Sequence, residues 1–104
     1  MISSPRDRVG TASRPDAERI VRAQSVVGRS LGASSVLVNL TTNEIFELNE
    51  TGGRIWDLLA TPRSARELAE QLNQEFEIEA TAAEAAVVTL LGQLEAQGLV
   101  RYVP

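Results

Sequence analysis

The fold of this chain is decided by the stretch Leu48-Asn49-Glu50-Thr51-Gly52-Gly53-Arg54-Ile55-Trp56-Asp57-Leu58-Leu59. Its apolar residues Leu48, Ile55, Trp56 and Leu59 recur at helical spacing. Asn49 is a residue type that caps helix N-termini, so we predict a helix from Asn49 to about Ala60 that ends before Pro62. The chain has no His and no Cys. The order of elements around this helix, in a chain of that composition, indicates a binding module and not a catalyst.

Composition limits the classes of protein that fit. At 104 residues the chain is long enough for one domain with a single core. The lack of His and Cys removes the usual general base, disulfides and the usual metal ligands, so we expect no metal and no cofactor. No stretch approaches the apolar length of a membrane span, and the N-terminal segment lacks the apolar run of a secretory signal. We therefore expect a soluble, cytoplasmic protein.

Charge is uneven along the chain. Residues 1–29 hold six Arg and three acids, whereas residues 30–104 hold four Arg and eleven acids. Residues 1–17 are rich in Ser, Pro, Gly and Arg and contain almost no large apolar side chain, so they cannot bury enough surface to offset the entropy of ordering. We predict a disordered basic arm over residues 1–17, to which we assign no function, and a folded domain over residues 18–104.

Three segments before the first helix have strand character. Residues 20–27 are half apolar and are followed by Gly28 and Gly32, which predicts a strand and then a loop, with a short helix as the alternative. Residues 35–40 are rich in β-branched side chains, residues 41–43 form a tight turn, and residues 44–48 make the second arm of a hairpin. Glu44 and Glu47 are charges of the kind that keep an edge strand from pairing with a wrong neighbour.

Two further helices follow, each with its own start signal. Residues 64–67 and 81–84 have the sequence of capping boxes, so we predict helices that begin at each of them. In the last helix Val87, Leu91 and Leu94 should point inward. Gly98 should end that helix in the left-handed conformation, with Leu99 folding back on Leu94 before a short strand over residues 99–103. The fold class is therefore α+β: a small three-stranded antiparallel sheet followed by a three-helix, winged-helix-like unit.

With the residues in this order, the chain resembles the PqqD family. The resemblance covers roughly residues 20–103 and is carried by the segments Val36-Leu37-Val38-Asn39-Leu40, Ile45-Phe46-Glu47-Leu48-Asn49-Glu50-Thr51-Gly52, Ile55-Trp56-Asp57-Leu58-Leu59, Glu67-Leu68 and Gly98-Leu99-Val100, together with Leu91 and Leu94. It implies a RiPP recognition element, a domain that binds the leader of a ribosomally made precursor peptide. In such domains the leader adds as a strand to a free sheet edge and lies in a groove shared with the third helix.

Carried onto this sequence, the resemblance places the leader beside residues 44–48 and against the flank of residues 81–97. The peptide-binding residues that we predict are Glu44, Ile45, Phe46, Glu47, Leu48, Glu84, Val88, Leu91 and Glu95. The residues support such a surface independently, because an exposed edge offers unpaired N–H and C=O groups to an extended peptide. The apolar arc of the last helix is also wide, with Leu90 to one side of the inward row and Val88 to the other. From the residues alone, Leu90 and Val88 are more typical of ordinary core or margin positions than of a peptide pocket, and the resemblance reverses that preference. The acidic residues would favour a leader that bears Lys or Arg.

The function that this implies is a non-catalytic adaptor for a precursor leader peptide. It would present that peptide to a separate maturation enzyme, either a protease or a radical-type modifying enzyme. We expect no nucleic-acid or membrane partner, and a monomer or weak homodimer. The alternative is a winged-helix DNA-binding regulator, but residues 81–97 hold two acids and no Lys or Arg, where duplex binding needs basic residues. A hydrolase that uses carboxylates alone comes last, because no pair of acids is marked for that role.

Overall fold

The computed structural model describes residues 18–104, so the predicted arm over residues 1–17 lies outside the described part of the chain. The elements, in chain order, are β1 (Arg19–Arg22), β2 (Val26–Leu31), β3 (Ser34–Asn39), β4 (Glu44–Leu48), α1 (Glu50–Leu58), α2 (Ala65–Phe76), α3 (Ala80–Ala96) and β5 (Val100–Val103). The predicted α+β class is confirmed.

Two antiparallel sheets are present among these elements. One has the strand order β2-β3-β4 and contains the predicted hairpin, and the other pairs β1 with β5. The single strand predicted over residues 20–27 is wrong, because the chain changes sheets inside it. The Ala23 N–H donates to the Leu99 carbonyl beside β5, whereas the Ser25 carbonyl accepts from Leu40 at the end of β3. Gly28 lies inside β2 instead of a loop, and Gly32 takes a positive φ of 67° in the β2–β3 turn.

Local capping chemistry sets the start of each helix. The Asn49 side chain accepts from the Gly52 N–H at 2.9 Å, as predicted for α1. Both hydrogen bonds of the capping box between Ser64 and Glu67 are formed at the start of α2. The capping box predicted at residues 81–84 is wrong, because α3 begins at Ala80 and its N-cap is Glu79. Glu77 ends α2 in the left-handed conformation, and the connection that follows is so short that α3 begins one residue before Thr81.

The core lies between the sheets and the helices. It contains Ile20 and Leu37 from the strands, Trp56 from α1, Leu72 from α2 and Leu91 from α3, among other buried apolar side chains. The inward positions predicted for α3 are confirmed, since Val87, Leu91 and Leu94 are all buried. None of the helices in residues 18–104 combines the length and apolarity that crossing a bilayer would require.

The predicted ending of α3 is also confirmed. Gly98 has a φ of 73°, its N–H donates to the Glu95 carbonyl, and the Leu99 N–H donates to the Leu94 carbonyl. These two hydrogen bonds define a Schellman motif. Leu99 is fully buried, so the motif turns the chain back into the core and starts β5 alongside β1.

Candidate functional site

Strand β4 forms one edge of the three-stranded sheet, and its backbone alternates between β3 and open space. Because the Leu40 N–H bonds to Ser25 on the β2 side, the alternation along β3 directs Ser35, Leu37 and Asn39 toward β4. Their registered partners on β4 are Leu48, Phe46 and Glu44. Ile45 and Glu47 therefore direct their N–H and C=O groups away from the sheet, where an extended peptide can pair with them.

The side chains of β4 alternate between the two faces of the sheet. Leu48 is buried and Phe46 packs partly against the core, so these two lie on the helix side of the sheet. Ile45 is 70% exposed on the outer face, next to Val38 of β3. Ile45 thus offers main-chain groups to the edge, while its side chain points away from the helices.

A groove opens between the start of α1 and one flank of α3. It has a volume of about 370 Å³ and begins at Asn49, the residue directly after β4. Ile55 and Leu90 give it an apolar floor, and none of its lining side chains is charged. The lining residues are Asn49, Thr51, Gly52, Ile55, Ala85, Ala86, Thr89, Leu90 and Gln93.

Gly52 keeps the start of this groove open. A Cβ at this position would lie 3.2 Å from the Asn49 Oδ1 and 3.3 Å from the Leu48 Cβ, closer than most real Cβ contacts, so these neighbours would have to shift slightly. Since the Asn49 oxygen is fixed by its cap hydrogen bond, any other residue would crowd the junction between β4 and α1. The groove therefore begins at Asn49, directly after the last residue of the β4 edge.

The predicted α3 residues lie elsewhere. At about 100° per residue, Glu84, Val88 and Glu95 fall on one side of the buried row of α3 and the groove residue Leu90 falls on the other. Glu84 lines a separate small depression against α2. Val88 is 60% exposed. The geometry gives these three residues no part in the groove.

The other predicted residues divide into two groups. Glu44, Ile45, Phe46 and Glu47 are brought together on the β4 edge. Leu48 and Leu91 belong to the core, at 7% and 1% exposure, so their side chains are too buried to contact a bound leader directly. The Glu44 carboxylate also accepts a 3.0 Å hydrogen bond from the Thr42 hydroxyl in the adjoining turn.

Sequence reasoning missed most of the groove. Ile55 lines the groove but is almost fully buried, so its helical spacing predicted a core position. Ala86, Thr89 and Gln93 belong to no motif that would mark them as binding residues. The one available signal was Leu90, which lies to one side of the inward row of α3 and is only half-buried. Within residues 18–104 the acidic side chains form no group of three or more that could hold a metal ion.

Comparisons with known proteins agree with this architecture. Residues 34–100 match the family model described as PqqD, Coenzyme PQQ synthesis protein D. The structure of TbiB1 in complex with the TbiA(beta) leader peptide is 25% identical, covers 78% of this chain and 94% of its own, and superimposes with a TM-score of 0.72. No curated protein matches the chain.

Two more distant structures share the fold. Lasso peptide synthetase B1 complexed with the leader peptide is 24% identical, with a TM-score of 0.66, and covers 82% of this chain and 98% of its own. The PqqD truncation of Methylobacterium extorquens PqqCD, a stand-alone RiPP recognition element solved by NMR, is 16% identical with a TM-score of 0.68. That match covers 80% of this chain and 88% of the truncation.

Proposed function

The chain belongs to the PqqD family, and on that premise we propose that it is a RiPP recognition element that binds the leader of a precursor peptide. The leader adds as a strand to β4 and lays its side chains into the groove between α1 and α3. The observation that carries the proposal is that a free strand edge leads, at Asn49, to a groove with no charged lining residue.

The main chain supplies the first part of the binding energy. Ile45 and Glu47 offer two N–H and two C=O groups, and a net contribution of about 0.5–1.5 kcal/mol for each hydrogen bond gives about 2–6 kcal/mol. These bonds do not depend on the leader's side chains. They fix its direction and register along β4 but not its sequence.

Side-chain selection comes from the groove. Leu90 is half-buried, so an apolar leader side chain that lies between α1 and α3 would cover the exposed part of Leu90 above the buried Ile55. Each large side chain buried in this way contributes about 1.5–3 kcal/mol. Asn49, Thr51 and Gln93 supply polar groups at the rim that can select among apolar anchors.

The adaptor would act by raising the effective concentration of the precursor peptide at its maturation enzyme. A bound leader holds the rest of the precursor near an enzyme on another chain, so the modification step becomes effectively intramolecular. The proposal includes no catalytic step on this chain. A homodimer through paired β4 edges would occupy the leader surface, so we propose that the binding form is the monomer.

The first experiment is a calorimetric titration with a synthetic leader from a small precursor encoded beside the gene, with a duplex DNA as control. Saturable binding of the leader alone is expected. Binding of the duplex alone would overturn the proposal in favour of a winged-helix regulator, although α3 carries Glu84 and Glu95 and no basic residue.

The edge is tested with Ile45→Pro. The Ile45 N–H is not used by the β3–β4 ladder, so proline should remove a leader hydrogen bond and leave the hairpin intact. Loss of one such bond, about 1 kcal/mol, weakens binding about fivefold. The matched control is Ser30→Pro on the opposite edge, which should bind the leader as the unmodified protein does. Equal losses from the two variants would contradict the β4 assignment.

A further inference from the structure

No strand within residues 18–104 pairs with the opposite edge of the same sheet, which is formed by β2. Val36 and Val38 of β3 direct their backbone groups toward β2, so their registered partners Arg29 and Val27 bond inward. Gly28 and Ser30 therefore direct their N–H and C=O groups outward. Both residues are exposed.

A polar cavity lies beside this second edge. Its volume is about 260 Å³, and its lining includes Arg22, Gly28, Ser30, Ser35, Trp56 and Asp57. The buried indole of Trp56 comes so close that a Cβ on Gly28 would lie 2.5 Å from the indole Nε1. The glycine therefore lets β2 pass the ring, and it leaves the edge backbone uncovered above the cavity.

Arg22 holds a fixed position in this cavity. Its guanidinium lies 4.7 Å above the centre of the Trp56 ring, and its Nε donates to the Trp56 carbonyl at 3.1 Å, at the C-terminal end of α1. Burial lowers the pKa of Arg22, and the nearby Asp57 carboxylate opposes that effect. A cation that is stacked and hydrogen-bonded in this way is preorganised to meet an anion.

The charge of the two edges differs. The groove beside β4 has no charged lining residue, whereas the cavity beside β2 is lined by Arg22 and Asp57. Arg29 also lines it, but strand alternation directs the Arg29 side chain to the face of β2 opposite to Gly28 and Ser30. Among residues 18–104 Arg22 forms no salt bridge with an acid, so its guanidinium can still pair with a carboxylate. A carboxylate is the complementary group for such a spot.

We propose that the β2 edge is a second strand-addition site, and that it binds an extended segment of a partner protein that places an Asp or Glu side chain in the cavity beside Arg22 and Trp56. The segment pairs with the outward groups of Gly28 and Ser30. The site is separate from the leader surface, because three strands lie between the two edges. At about 4.8 Å between neighbouring strands, the two added peptides would run about 19 Å apart on one sheet.

The proposal is tested by NMR on the ¹⁵N-labelled protein with two blocked seven-residue peptides of alternating Thr and Val. One carries a central Glu and the other a central Lys. The Glu peptide should shift the amide signals of Gly28 and Ser30 and the indole signal of Trp56, and should bind about threefold to tenfold more tightly than the Lys peptide at low salt. Arg22→Gln should remove that preference, and 0.5 M salt should reduce it.

Reciprocal proline variants separate this site from the leader site. Ser30→Pro should weaken binding of the Glu peptide about fivefold and preserve leader binding, whereas Ile45→Pro should weaken leader binding about fivefold and preserve binding of the Glu peptide. Both variants are first checked by their amide spectra for an intact β2-β3-β4 sheet. Shifts confined to β4, equal affinity for the two peptides, or no shifts at the β2 edge would each overturn the proposal. Loss of leader binding in Ile45→Pro alone would leave the proposed function standing.

Discussion

Truncation of Leu90 tests which flank of α3 faces the leader. Leu90 is half-buried in the free protein and lines the groove beside Ile55. Leu90→Ala removes three carbons, and only their solvent-exposed part becomes buried on binding. At about 0.8 kcal/mol per buried CH₂, an exposed part of one to one and a half carbons gives an expected loss of about 1 kcal/mol of binding free energy, or about fivefold in Kd.

The matched control is Val88→Ala. Val88 lies on the other flank of the same helix, is 60% exposed and is similar in chemistry. This variant should change the Kd for the leader by less than twofold. The assay is the calorimetric titration with the synthetic leader, performed at a temperature where circular dichroism shows both variants fully folded, because Leu90 also packs partly against the core.

The result that would refute this reasoning is the reverse pattern. If Val88→Ala weakened binding tenfold and Leu90→Ala had no effect, the leader would lie along the flank of Glu84, Val88 and Glu95. That outcome would support the α3 flank predicted from sequence, and the groove between α1 and α3 would then have no role in the leader complex.

Three further predictions concern stability. Gly98→Ala should lower the free energy of unfolding by about 1 kcal/mol, because Gly98 has a φ of 73°. Gly92→Ala inside α3, where a Cβ meets nothing within 4 Å, should raise the free energy of unfolding by about 0.5–1 kcal/mol. Urea unfolding in which both variants are stabilised, or both destabilised, would contradict this. Ser64→Ala should cost about 1 kcal/mol through loss of the α2 cap, measured as a lower urea midpoint at unchanged m-value, and an unchanged midpoint would show that the cap contributes nothing. Hydrogen bonds from Arg54 and Gln71 hold the pKa of Glu75 at about 2, below the ordinary 4.5, so its stabilisation is present above pH 4.5 and is lost as the pH falls toward 2. The pair is partly exposed, so Glu75→Gln should remove only about 0.2–1 kcal/mol of that acid-dependent stability, and identical slopes of unfolding free energy against pH for the two proteins would exclude the effect.

Local chemistry explains why much of the fold could be predicted. Asn49 and Ser64 cap their helices through side-chain oxygens that bond to N–H groups three residues away, which is a contact set by the sequence itself. The start of α3 could not be read in this way. The sequence of residues 81–84 fits a capping box, but the left-handed Glu77 brings the chain into helical conformation earlier, and Glu79 caps α3.

The division of the predicted N-terminal strand has a different cause. Nothing in residues 20–27 indicates that one half pairs with β5 and the other with β3. The first half is held by partners about 80 residues away, such as Val100 opposite Arg22, and the second by residues such as Val38 opposite Val27. Pairing across that separation depends on where the helices place the C-terminal strand, and this is a tertiary property.

The sequence by itself determined the three helices, the caps of α1 and α2, the hairpin with its free β4 edge, and the apolar arc of α3. Helical periodicity determines which residues share the apolar arc of α3, but it does not determine which element packs beside each flank of that arc. Only the tertiary structure placed Leu90 against Ile55 of α1 and left Val88 on the opposite flank. That choice depends on how α3 packs across the sheet and the other helices, because the two flanks of one amphipathic helix are locally equivalent until a neighbour occupies one of them.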